Sequence, residues 1–193
     1  MASVLRDVDR AHFVPQLAGG RGALRAAQTS VVRAGAAYVD APQPLGCGGA
    51  TISAPHVHGM ALQLLASRLR PGARVLDVGS GSGYLTTCFG LLVSGPGGTG
   101  GTAVGIERLP ALVSLAADAI TRCRAELLDS GAVVLVAGDA TAKRLPAVVL
   151  ASAPYDAIHV GAAAPSLEAV APLVELLRPA RQDFAADNNF FMD

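Results

Sequence analysis

The sequence lacks a net charge, a paired set of cysteines and any run of apolar residues long enough to cross a membrane. Lys plus Arg and Asp plus Glu number 15 each among 193 residues, so the formal charge is zero. A chain without excess charge has no overall field that would attract nucleic acid or an anionic membrane surface. We therefore expect no nucleic-acid partner.

Cysteine is scarce as well. Cys47, Cys88 and Cys123 are an odd number without C-x-x-C spacing, which argues against a disulfide framework and against a zinc site. The first 16 residues carry Arg6, Asp7, Asp9 and Arg10 where a signal peptide needs an apolar segment. No run approaches the roughly 18 apolar residues of a membrane span. We expect no metal, no membrane partner and a cytoplasmic location.

The sequence does contain an alternation of strand-like and helix-like segments. Four short runs are rich in Val and Ile and nearly continuous in apolar character, at residues 74–78, 102–107, 133–137 and 155–160. Such runs are typical of strands buried on both faces of a sheet. The helical patterns cover residues 55–69, 84–93, 110–128 and 166–177. This order predicts an α/β fold, doubly wound around a mainly parallel sheet with right-handed crossovers.

The clearest local motif is LDVGSGSGYL at residues 76–85, where a strand pattern ends in alternating glycines and a helical pattern begins. Glycines let the backbone turn tightly and approach a ligand, and free N–H groups at a helix start suit a carboxylate or a phosphate. A purely structural turn is the alternative interpretation. Tyr84 occupies the position of the third glycine in a dinucleotide fingerprint, which disfavours a nicotinamide cofactor.

Acidic residues follow two further strand patterns. Glu107 ends the run at 102–107, and Asp139 comes just after the run at 133–137. Ligands of open α/β sheets bind at the carboxyl ends of the strands, where an acidic side chain can accept hydrogen bonds from ribose hydroxyls. The alternatives are a surface glutamate at 107 and a helix cap at Asp139.

Four other polar residues have competing interpretations. Ser53 precedes the helical pattern at 55–69 and could cap that helix. A metal-binding pair is one interpretation of His56 and His58, but these residues point in different directions at a helix start and have no evident third ligand. His159 lies in an apolar strand pattern, so we interpret it as a core residue with satisfied hydrogen bonds rather than as a catalytic base.

Five segments together resemble the protein-L-isoaspartate O-methyltransferase family, in the family's order. They are AYVDAPQPLG at 37–46, ATISAPHVH at 50–58, LDVGSGSGYL, TAVGIE at 102–107 and APYDAIHVGAAAP at 153–165, with a short echo in RAHFVP at 10–15. The resemblance implies a Rossmann-like domain that binds S-adenosyl-L-methionine. It also implies a repair reaction, methyl transfer to the free carboxyl group of L-isoaspartyl residues in damaged proteins, with D-aspartyl residues as candidate second acceptors. The competing hypothesis is a catalytically inactive cofactor-binding or interaction protein of the same family.

The resemblance further implies residue roles. Ser53 would lie beside the acceptor carboxylate as the catalytic residue. The cofactor-binding positions would be Ala50, Thr51, Ile52, Ser53 and His58 along its border, Val78, Gly79, Ser80 and Gly81 around its methionine part, Glu107 at the ribose, and Asp139 with Ala140 near the adenine. A carboxylate with a pKa of about 3.3–4 is already ionised at neutral pH, so no general base is required.

The sequence departs from the family at both ends. Residues 1–36 form a variable segment with an insertion at 17–36, residues 37–179 form the methyltransferase domain, and residues 180–193 form a divergent tail. The family continues past this point with further strands, which we expect to be missing. The strand at 155–160 should then lie at an open sheet edge, the chain should be marginally stable, and it should be a monomer if that edge is covered.

Overall fold

The computed structural model describes residues 3–15, 35–95, 100–162 and 166–179. The elements in chain order are α1 (Val4–Asp7), two 3-10 helices (Arg10–Phe13 and Ala36–Tyr38), β1 (Gln43–Pro44), β2 (Thr51–Ile52), α2 (Pro55–Leu64), β3 (Arg74–Val78), α3 (Tyr84–Ser94), β4 (Thr102–Glu107), α4 (Pro110–Asp129), β5 (Val133–Ala137), α5 (Ala147–Ala151), β6 (Ala157–Val160), α6 (Leu167–Val170) and a 3-10 helix (Ala171–Leu176). Most of the predicted insertion and the whole of the predicted tail lie outside the described residues.

Strands β3 to β6 form one parallel sheet in the order β5-β4-β3-β6. In its centre Leu76 pairs with Val104 on one side and with Ile158 on the other. The predicted α/β fold with a parallel sheet is confirmed. The two-residue strands β1 and β2 form a separate antiparallel hairpin.

The sheet is buried on both faces, as its continuous apolar strands predict. Adjacent residues of a strand point to opposite faces, so Val75 joins the hydrophobic cluster that contains Phe89 of α3 and Ile120 of α4. Leu76 joins a second cluster, which contains Val149 of α5. The two layers of packing hold the central strands, and with them the loops at their carboxyl ends.

Several helix boundaries differ from the prediction. Helix α2 ends at Leu64 rather than at residue 69, because Leu65 leaves the helical conformation with φ −91° and ψ 1°. The predicted helix at 166–177 is instead a four-residue helix followed by a 3-10 helix, with Pro172 at the start of the latter. Proline lacks the N–H that a continuous α-helix would need there. Helix α5 was not predicted, because five residues are too few to show periodicity.

Strand β6 lies at the edge of the sheet as far as the described residues extend, as expected. It is shorter than the predicted strand, because Tyr155 makes an isolated parallel bridge to Leu177 instead of joining the ladder. The Tyr155 N–H donates to Leu176 O at 2.8 Å. None of the helices in the described residues is long and apolar enough to cross a membrane.

Candidate functional site

The glycine loop lies between the end of β3 and the start of α3. Gly79 has φ +76°, which L side chains rarely adopt. A Cβ placed on it would lie 2.5 Å from Ala162 Cβ and 2.8 Å from Ala162 N. Glycine is therefore needed at this position for both conformation and space. The loop packs against the segment that follows β6, so two neighbouring strand ends together shape it.

Glu107 lies beside this loop at the end of the next strand. Its Oε2 accepts a hydrogen bond from Gly81 N at 3.1 Å, and its Oε1 accepts one from Leu109 N at 2.9 Å. The residue is 9% exposed. A carboxylate has about four lone-pair sites, so two remain for ligand hydroxyls. The sequence prediction that Glu107 and the glycine loop share one site has geometric support.

Asp139 follows the end of β5 and is brought beside Glu107, because Gly138 N donates to Glu107 O at 2.9 Å. The Asp139 carboxylate accepts hydrogen bonds from the backbone and the hydroxyl of Thr141 at 2.8 and 2.6 Å. The Thr141 hydroxyl, and then its N–H, lower the pKa of this exposed carboxyl. The helix-cap interpretation is wrong, since a turn that begins at Ala140, rather than a helix, follows Asp139.

Behind the loop, a buried carboxylate connects three elements. Asp77 in β3 is 2% exposed and accepts a hydrogen bond from the hydroxyl of Thr86 in α3. The other carboxylate oxygen lies 2.8 Å from Nδ1 of His159 in β6. His159 also packs edge-on against Phe89, with ring centroids 5.9 Å apart. The interpretation of His159 as a core residue with satisfied hydrogen bonds has support in part, because Nδ1 has a partner while the side chain is 21% exposed.

The residues predicted to border the cofactor, and Ser53, which was predicted to lie also beside the acceptor, lie on and near the hairpin strand β2. Thr51 is exposed, whereas the side chain of Ile52 is 2% exposed and belongs to the hydrophobic core. The side chain of Ile52 is therefore not available to contact a ligand. Ala50 N and O are occupied by Cys47 and Leu45 in the hairpin turn.

Ser53 does not cap α2. The N-cap position is Ala54, which has no capping side chain, and Pro55 is the first helical residue. Asp40 takes the capping role instead, because its carboxylate accepts the His56 N–H at 3.0 Å and lies 2.9 Å from His56 Nδ1. The half-buried Ser53 side chain is thus not used for capping.

His58 faces the interior at the start of α2, next to the glycine loop's helix. Its ring centroid is 5.0 Å from that of Tyr84, the first residue of α3. Its Nδ1 lies 3.1 Å from Nη1 of the buried Arg10. Burial, and secondarily the charge of Arg10, lower the pKa of His58 to about 4. The imidazole is neutral at pH 7.

The described residues contain no group of three or more His, Cys, Asp or Glu side chains that could hold a metal ion. His56 and His58 lie in different environments, because His56 is exposed and pairs with Asp40 while His58 is buried. Tyr84 fills the position that a dinucleotide fingerprint reserves for glycine, and its ring packs against Phe13 with centroids 5.4 Å apart.

A family model described as protein-L-isoaspartate(D-aspartate) O-methyltransferase matches residues 1–179. The chain belongs to this family. A protein-L-isoaspartate O-methyltransferase of Arabidopsis thaliana is 44% identical over 81% of this chain and 64% of its own length. One of Triticum aestivum is 42% identical over 93% of this chain and 66% of its own length. The chain thus spans somewhat less than two thirds of the length of these relatives.

Solved structures agree with the family assignment. A Plasmodium falciparum β-aspartate methyltransferase structure in complex with S-adenosyl-L-homocysteine is 30% identical, with a TM-score of 0.72 over 91% of this chain and 70% of that chain. A second structure, of a protein-L-isoaspartate O-methyltransferase, is 21% identical with a TM-score of 0.65 over 92% of this chain and 47% of that chain, and it supports the fold. The chain therefore has the fold of the S-adenosylmethionine-dependent methyltransferases.

Three residues that contact the candidate site residues or their elements were not predicted from the sequence, namely Arg10, Asp40 and Asp77. All three lie in segments that resemble the family, and Asp77 carries a further signal, because it is an acidic residue in an otherwise apolar strand. Arg10 and Asp40 act on residues 48 and 16 positions away, and no local pattern indicates such partners.

Proposed function

We propose that the chain binds S-adenosyl-L-methionine at the carboxyl ends of β3, β4 and β5. The contact between Glu107 and Gly81 carries this proposal, because it brings a carboxylate with free acceptor sites against a loop that only glycine can form. Val78 and Gly79 to Gly81 would hold the methionine part, and Glu107 would accept hydrogen bonds from the ribose. Asp139 and Ala140 would border the adenine. The relative solved with S-adenosyl-L-homocysteine supports this assignment.

The proposed reaction is methyl transfer to the free carboxyl group of L-isoaspartyl residues, and of D-aspartyl residues, in damaged proteins. When bound, the cofactor supplies an electrophilic methyl carbon, which is transferred to a carboxylate oxygen while the carbon–sulfur bond breaks and its electron pair stays on sulfur. The acceptor is ionised at neutral pH, so the chain's residues need only bind, orient and exclude water. Correct orientation of the reacting groups supplies several kcal/mol of the barrier.

Ser53 is the proposed contact to the acceptor carboxylate. Its hydroxyl is not used for helix capping, and its carbonyl is held by Arg10 Nη2 at 2.7 Å. Ala50, Thr51 and His58 would border the cofactor beside it. We propose that residues 37–179 form this functional domain, with a variable segment at 1–36, whose Val4, Val8 and Phe13 pack in the same hydrophobic core, and a divergent tail at 180–193.

Other proteins that carry isoaspartyl residues are the proposed partners, and the proposed location is the cytoplasm. Balanced charge supports the absence of a nucleic-acid partner, and three free cysteines suit a reducing compartment. We propose a monomer in which the edge of β6 is covered.

An acceptor assay tests the reaction. The chain is incubated with methyl-labelled S-adenosyl-L-methionine and an isoaspartyl peptide, with the matching L-aspartyl peptide as control. We expect label on the isoaspartyl peptide only. Cofactor binding without transfer would instead support the inactive binding protein, and transfer only to non-peptide acceptors would indicate a small-molecule methyltransferase.

A further inference from the structure

The side chain of Arg10 connects three segments of the acceptor side. It is 4% exposed. Nε donates to Ala37 O at 2.7 Å, Nη2 donates to Ser53 O at 2.7 Å, and Nη1 lies 3.1 Å from His58 Nδ1. The 3-10 helix that carries Arg10 is thereby tied to the 3-10 helix Ala36–Tyr38, to the residue that follows β2 and to α2.

This guanidinium is buried without a carboxylate at ion-pair distance among the described residues. Its neighbours are two carbonyl oxygens, a neutral imidazole and the ring of Tyr84, whose centroid lies 5.6 Å from Arg10 Cζ. Burial lowers its pKa, but an arginine remains protonated in proteins. The carboxylate of Asp40 favours this charge from beyond ion-pair distance, and the directed contacts of the planar fork supply the hydrogen bonds that a buried charge requires.

Arg10 also determines which nitrogen of His58 carries the proton. A guanidinium has only donors, so the Nδ1 atom that faces it must accept. Neutral His58 then carries its proton on Nε2 and is a hydrogen-bond donor there. Without Arg10, both tautomers would be available to the ring.

We propose that Arg10 is a positioning residue for the acceptor: it fixes the peptide unit of Ser53 and holds His58 as the Nε2–H tautomer. This inference rests on the proposed function and assigns to the N-terminal segment a part in acceptor binding. Lysine at this position would keep the charge, but a single ammonium cannot make the three directed contacts of the fork.

The tautomer of His58 is measurable without any catalysis. Nitrogen-15 NMR of the uniformly labelled, unmodified chain at neutral pH distinguishes the two neutral tautomers by the shifts of the ring nitrogens. We expect protonated Nε2 and unprotonated Nδ1, and a mixture of tautomers in Arg10→Gln. A proton on Nδ1, or an imidazolium at neutral pH, in the unmodified chain overturns the proposal.

Kinetics of Arg10→Lys and Arg10→Gln provide the second test. We expect kcat/KM for the isoaspartyl peptide to fall about ten- to hundredfold, which is a larger factor than the change in the Kd of S-adenosyl-L-homocysteine, whose proposed border includes Ser53 and His58. Arg70→Lys and Arg70→Gln alter an exposed arginine and should change neither quantity. Equal losses in peptide and cofactor constants, or no loss in either, would overturn the positioning role.

The two tests keep this inference separate from the proposed reaction. If the unmodified chain transfers no methyl group, the proposed function fails, and the His58 spectrum still decides whether Arg10 sets the tautomer. If the Arg10 variants do not fold, the spectrum of the unmodified chain still tests the inference, because a proton on Nδ1 would contradict it.

Discussion

The carboxylate of Glu107 accepts the backbone N–H of Gly81 at 3.1 Å, so the ends of β3 and β4 are joined through a side chain. Replacing Glu107 by Ala removes this acceptor and the proposed ribose contact together. We expect cofactor binding to weaken by about 1–3 kcal/mol, measured by calorimetry with S-adenosyl-L-homocysteine. Glu175→Ala, at an exposed position, should leave the affinity unchanged. An unaltered affinity in Glu107→Ala would remove this residue from the site.

Ser53→Ala tests the acceptor side. If the hydroxyl contacts the acceptor carboxylate, its loss should lower kcat/KM for the isoaspartyl peptide by about 1.5–3 kcal/mol, as for hydrogen bonds to charged groups. Cofactor affinity should change much less. Ser114→Ala alters an exposed hydroxyl on α4 and serves as the matched control. An equal loss in both constants would assign Ser53 to the cofactor.

Gly79→Ala tests the fit of the loop against the segment after β6. The new Cβ would overlap Ala162, and the alanine backbone would have an unfavourable φ. The free energy of unfolding and the cofactor affinity should therefore both fall. Gly131 has φ +73° but open space around it, so Gly131→Ala isolates the conformational cost of about 1–2 kcal/mol. Urea unfolding of both variants should show the larger loss for Gly79→Ala, and equal losses would contradict the packing argument.

The pH dependence of stability tests the burial of His58. Its pKa is about 4 in the folded chain against an ordinary 6.5, so between these values the unfolded chain binds a proton that the folded chain does not. Stability attributable to neutral His58 is fully present above the unfolded pKa and falls as pH decreases toward the folded one. The loss reaches about 3 kcal/mol at most. The stability difference between the unmodified chain and His58→Gln should shrink accordingly in urea titrations between about pH 7 and pH 4.5. A constant difference would contradict the burial of a neutral ring.

The sheet was predictable because each of its strands is an apolar run that is visible in the sequence. Val75 and Leu76 pack on opposite faces, and an uninterrupted apolar run already implies two covered faces. The position of Glu107 at a strand end followed directly, since parallel strands bring their carboxyl ends to one edge.

The acceptor side was less predictable because its contacts are not local. Asp40 caps α2 from outside the helix, and Arg10 binds the Ser53 carbonyl from 43 residues away. The choice between capping and acceptor contact for Ser53 did have a local signal: proline favours the first helical position, so Pro55 indicates an N-cap at Ala54. The early end of α2 at Leu64 has no signal in the sequence that we can identify.

The close approach of Gly79 to Ala162, which follows β6, bears on the order in which the parts of the chain fold. Closing a loop between such distant residues costs entropy before any pairing compensates for it, and parallel pairings between distant strands are slow to form. His159 and Asp77 are 82 positions apart, so β6 is expected to join the sheet late. We therefore expect the glycine loop to reach its final shape late in synthesis, after residue 162 has left the ribosome.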